Sequence, residues 1–145
     1  MPQFEIDVLA IVVAALAHFF LGFLWYTPLF GRTWAREMGF DYDTKPTGAQ
    51  MARGLSLNLV GNLLMAYVLF SNMAAWNPES WGQGPPAMPP LAFAGMAAFF
   101  TWLGFFLPVD LNTVAWEQKS WKVFAINTGY HLVSLVLVAV ILVTL

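Results

Sequence analysis

The sequence predicts an all-α, polytopic membrane protein, a bundle of four transmembrane helices arranged as two hairpins. Three observations lead there. Of the 145 residues, 59% are hydrophobic and only 10% are charged, whereas a water-soluble domain carries about 25% charged residues. Four apolar stretches of about 20 residues each match a hydrocarbon core of ~30 Å at 1.5 Å per residue. All six Lys and Arg fall in two of the connections between those stretches. Lipid offers the backbone no hydrogen-bond partners, so each stretch must satisfy its own N–H and C=O groups as a helix. A barrel would need short alternating strands, and Leu132 to Leu145 does not alternate. The length predicts one transmembrane domain, 1–145, with no second soluble domain.

The first span covers roughly 6–26. The residues before it, Met-Pro-Gln-Phe-Glu-Ile-Asp, lack a basic signal-type region, and no small-residue cleavage site follows, so this span is expected to be retained. Pro28 is expected to end the helix. Residues 31–40 predict a short interfacial helix, with Arg32 and Arg36 on one face and Trp34 and Met38 on another. An acidic turn, Asp41-Tyr42-Asp43, follows. Thr47 and Gln50 have capping-box spacing after Pro46, so the second helix should begin before its apolar part at 54–75. Residues 76–90 hold five prolines and two glycines, which predicts an irregular loop. The third span covers 91–109, and the fourth covers 122–145 with Ser120 as its N-cap.

Arg32, Arg36, Lys45 and Arg53 lie between spans one and two, and Lys119 and Lys122 lie between spans three and four. The positive-inside rule makes that side cytoplasmic and puts both termini and the 76–90 loop outside. Trp76 and Trp81 then fit an outer aromatic belt, and Trp25, Tyr26, Trp34, Trp116 and Trp121 an inner one; the other use for such rings is stacking on a ligand.

Several functions are excluded. Six basic against eight acidic residues leave no nucleic-acid footprint. Without cysteine there is no disulfide, thiolate metal site or Cys nucleophile. No G-x-S-x-G, H-E-x-x-H or Gly-rich phosphate loop is present, so no catalytic residue is assigned. Asp7, Glu79, Asp110 and Glu117 are expected as solvated or helix-end carboxylates, and Asp110 and Glu117 are too far apart to form a pair.

Function is sought in the few polar groups within hydrocarbon, which are expensive to place there. His18 shares a face with Gly22 and Trp25. Asn58, Asn62 and Met65 form a stripe on the second span. Thr101 and Trp102 lie on the third, near the small residues Ala94, Gly95, Ala97 and Ala98. Asn127, His131 and Ser134 line one face of the fourth, with Gly129 and Tyr130 beside it. His18, Asn62 and His131 each fall roughly 12–14 Å below the inner boundary, which predicts one polar layer. Three uses are open: interhelical hydrogen bonding, a path for protons, ions or small solutes, or axial ligation of a haem by His18 and His131. No other cofactor and no metal site is predicted. Leu21-Gly22-Phe23 with Pro28 is echoed by Leu103-Gly104-Phe105 with Pro108, as in a parallel repeat.

Two motifs carry a resemblance. Gly22-Phe-Leu-Trp25-Tyr26-Thr27-Pro28-Leu-Phe-Gly31-Arg32-x-Trp34 resembles the opening signature of the domain of unknown function 1761 family. Ile126-Asn127-Thr128-Gly129-Tyr130-His131-Leu132-Val133 is similar to its closing signature. The resemblance covers essentially the whole chain and implies a small four-span protein of the bacterial cytoplasmic membrane, with no established activity. His131 falls within a motif; His18 precedes the first. Gly22, Trp25, Tyr26, Pro28, Gly31, Trp34 and Gly129 are expected in structural roles, and Tyr130 and His131 need polar partners, sought on the second span. The expected function is a non-enzymatic small-solute or ion conductor, or a structural subunit. Alternatives are a haem-binding redox subunit or an accessory subunit of a larger complex. Small-residue faces on spans one and three suggest a homo-oligomer.

Overall fold

The computed structural model describes residues 1–145. The chain is all-helical, with four helices long and apolar enough to cross a membrane: Val8–Leu29, Gly48–Trp76, Pro90–Ala115 and Trp121–Thr144. These are the first to fourth spans below. Asp7 caps the first, its carboxylate accepting from Ala10 N–H at 2.9 Å. Pro28 does not end the helix on the spot. Residues Trp25–Leu29 widen into a π-turn, closed by Phe30 N–H donating to Trp25 C=O at 2.8 Å. The wider turn accommodates a ring that would otherwise press on the carbonyl four residues back. The third span contains a second π-turn, Trp102–Phe106, just before Pro108, so both echoed Gly/Pro segments carry a π-turn.

A short helix, Gly31–Met38, follows the first span and stops at Gly39 in the left-handed conformation, φ +82°. The turn after it is held by Asp41, which accepts from Asp43 N–H and from the Thr44 hydroxyl at 2.7 Å. Those bonds favour the ionised form and hold the Asp41 carboxyl below its ordinary value, the Thr44 hydroxyl contributing most. A depressed folded pKa stabilises the turn at neutral pH, and that contribution disappears as pH falls through it. Carboxyl-resolved NMR titration should therefore show Asp41 returning toward the ordinary aspartate value in Thr44→Val, with the other aspartates unmoved.

The second span starts at a complete capping box. Thr47 Oγ1 accepts from Gln50 N–H at 3.2 Å, and Gln50 Oε1 accepts from Thr47 N–H at 2.9 Å. Ser120 caps the fourth span through Val123 N–H at 3.3 Å.

The fourth span is the most enclosed. It packs against the first and third, and the first packs in turn against the second; the second and third spans meet only slightly. In one half of the bundle the core is close-packed from Ile11, Ala14 and Ala15, Ala66, Leu69 and Met73, Ala94 and Ala98, and Leu135, Val138 and Ala139. Alanines with no exposed surface let these helices approach closely. Of the small faces of spans one and three, which could serve a second copy as well as the same chain, Ala14, Ala15, Ala94 and Ala98 pack into the chain's own core, while Gly95 and Ala97 stay partly exposed. Gln3 N–H donates to Ser80 C=O at 2.7 Å, so the N-terminal segment and the 76–90 loop share the end of the bundle nearest this core. The basic connections share the other end.

Candidate functional site

Toward the basic end the core changes character. Asp110 is buried on the third span, 7% exposed, with one carboxylate oxygen 2.7 Å from His131 Nδ1 on the fourth. Asp110 is therefore not a solvated or helix-end carboxylate, and the partner of His131 is on the third span rather than the second. No Lys or Arg lies within ion-pair distance of Asp110, so His131 is its only such partner. The Phe106 ring covers the imidazole, centroids 4.9 Å apart.

His18 and Asn62 form a second cluster, between the first and second spans. With its amide turned so that both atoms find partners, Asn62 donates to His18 Nδ1 at 3.2 Å and accepts from Phe19 N–H at 3.3 Å. Asn58 stands 3.1 Å from Asn62 but is itself exposed. His18 Nε2 is buried with no partner. Tyr130 stands between these clusters in the contact chain, its ring 5.5 Å from His18 and 5.7 Å from His131. The expected single layer is thus two polar pairs bridged by an aromatic ring. Ser134 is buried and spends its hydroxyl on the His131 carbonyl of its own helix, at 3.0 Å.

The two signature segments bind each other. Trp25 Nε1 donates to Ile126 C=O at 3.0 Å. Asn127 Oδ1 accepts from both the Tyr26 hydroxyl at 2.8 Å and Trp34 Nε1 at 3.2 Å. Trp25, Tyr26 and Trp34 are therefore not a plain interfacial belt, since their polar atoms point at the fourth span. Trp76, Trp81, Trp116 and Trp121 are exposed as a belt would be. A Cβ on Gly22 would sit 2.9 Å from the Tyr130 hydroxyl, so a larger residue there would displace that ring. Gly129 faces the Trp25 ring at ordinary contact distance. Trp102 Nε1 adds a tie to Thr128, reaching its C=O at 2.9 Å and its Oγ1 at 3.0 Å.

A family model described as protein of unknown function, DUF1761, matches residues 9–143. The chain belongs to the DUF1761 family. No curated protein and no solved structure matches it. In this DUF1761 chain the resembled motifs form one seam, with Asn127 at its centre. Asp110 and Trp102 lie outside both motifs, and sequence reading missed their roles. The signal available was that each lies on the third span within reach of a polar residue on the fourth.

Proposed function

We propose that this multi-pass membrane protein is a non-enzymatic carrier of a proton or small cation, with Asp110 and His131 as its proton-binding pair. The reading rests on one observation: a buried carboxylate in a membrane span whose sole ionisable partner is an imidazole. Such groups are expensive in hydrocarbon and mark ion or proton sites by default. The alanine-rich core favours a carrier, which is closed on one side at a time, over an open pore. The charge asymmetry supports an orientation with the pair nearer the cytoplasm and both termini outside, and the proposed location is the inner membrane of a bacterium. Lipid and further copies of the chain are its proposed partners, through the exposed faces of the second and third spans.

Proton entry into liposomes carrying an internal pH dye tests this. Wild-type protein is expected to speed entry above that of empty liposomes, and His131→Ala to return it to that baseline. Unchanged flux in the variant rejects a role for the pair. A redox subunit holding haem on His18 and His131 would instead show a Soret band after haem-replete expression.

A further inference from the structure

At the end of the bundle away from the basic residues, the chain builds a second feature. The N-terminal segment folds back over the helix ends, fixed by the Gln3–Ser80 bond at 2.7 Å. Phe4 packs edge-on against Phe70, centroids 6.2 Å apart. The proline-rich loop is shaped by Asn77 Oδ1 accepting from Glu79 N–H, and by Gly82 and Gly84 with φ of +71° and +87°. Trp81 Nε1 ties it to the second span through Ala75 C=O at 2.7 Å. Beneath the segment and loop is a cavity of about 660 Å³, within the ~300–1,000 Å³ range of small-molecule sites.

Its walls have a definite chemistry. Phe4, Phe70 and Phe93 supply aromatic surface, and Met73 and Met88 supply polarizable thioethers. Glu79 is the one charged residue in the lining. No Lys, Arg or His occurs in residues 1–7 or 76–90, where Glu5 and Asp7 add further negative charge. No basic side chain lies within ion-pair distance of Glu79, since the ion pairs of this chain are all elsewhere. An anion would be repelled here. A bare metal ion would find only one carboxylate where hard cations take six or more oxygens. An ammonium group with an apolar body suits every wall: its charge meets Glu79 and the ring faces, and its body fills the rest.

We propose that this outer cavity is a binding site for an organic ammonium ion bearing an aromatic or bulky alkyl group. The site shares no residue with the Asp110–His131 pair and does not depend on proton carriage. The test is calorimetric titration of the full-length protein in neutral-lipid nanodiscs with benzyltrimethylammonium, its uncharged carbon analogue neopentylbenzene, and benzenesulfonate. Saturable one-to-one binding of the cation is expected, with none of the sulfonate. Glu79→Gln should weaken the cation about fivefold, as loss of an exposed ion pair does, without weakening neopentylbenzene. Phe93→Leu, which keeps apolar volume and removes the ring face, should weaken it about fivefold as well. Glu79 is exposed, so its variant is expected to elute monodisperse like wild type. Absence of cation binding to wild type, equal affinity for neopentylbenzene, or unchanged affinity in Glu79→Gln would each overturn the proposal, the last two leaving a cavity for lipid chains.

Discussion

Gly31→Ala is expected to be the most damaging conservative substitution in this chain. A Cβ on Gly31 would lie 2.5 Å from the Tyr26 carbonyl oxygen, 3.0 Å from its carbon and 2.9 Å from the Tyr42 ring. The ring could swing away. The carbonyl cannot, because it belongs to the π-turn that carries the first span through Pro28. Relief requires the short helix Gly31–Met38 to back off the bundle, which pulls Trp34 from Asn127. Overpacking costs about 1–3 kcal/mol, and a backbone obstacle with a lost buried hydrogen bond places this case near about 3 kcal/mol. Gly61→Ala is the control. That glycine has no atom within 4 Å of the added Cβ, and alanine is the better helix former by about 1 kcal/mol. Thermal midpoints in one detergent should fall clearly for Gly31→Ala and hold or rise for Gly61→Ala. Equal midpoints would mean that the close approach of Gly31 to Tyr26 is not a constraint of the native state.

The spans and the capping box were legible in the sequence because each is written in a local run. Apolar length announces the helices, and Thr47 with Gln50 announces a start three residues apart. The site was only half legible. His18, Asn62 and His131 stood out as polar residues in apolar surroundings, and helical rise predicted a similar depth for them. What joins them was not, because it depends on which faces the helices turn toward one another. Asp110 illustrates the difficulty. A symmetrical hairpin about the 116–120 turn would set it opposite a residue nearer Ile126 than His131. Side chains on a helix, however, lean toward its N-terminus. On antiparallel neighbours, Asp110 therefore leans toward the end that carries both chain termini and His131 toward the basic end, and the two close the offset to 2.7 Å. Trp25, Tyr26 and Trp34 escaped notice for a related reason. Their composition fits an interfacial belt, and only the way the π-turn with Trp25 and Tyr26 and the short helix with Trp34 lie beside the fourth span gives their donors partners there.

Breaking the Asp110–His131 pair from its two sides should have unequal consequences. His131→Ala leaves a buried carboxylate with no partner, and removing one member of a buried ion pair costs about 3–5 kcal/mol in water-soluble proteins. Asp110→Asn leaves an imidazole that needs no counter-ion, so the loss is close to one hydrogen bond between membrane helices, on the order of 1 kcal/mol. His131→Ala is therefore expected to lower the thermal midpoint well below that of Asp110→Asn. The double variant Asp110→Asn, His131→Ala should recover much of the deficit, since it removes the stranded charge along with its partner. A cycle of these three variants and wild type then yields a coupling of about 3 kcal/mol, against about 0.5 kcal/mol or less for residues that act independently. Additive behaviour would show that Asp110 and His131 are neighbours without being a pair, and proton carriage would lose its physical basis. Strong coupling carries a consequence of its own: Asp110 and His131 then form a single site, and a substitution at either member alters what the other can do there.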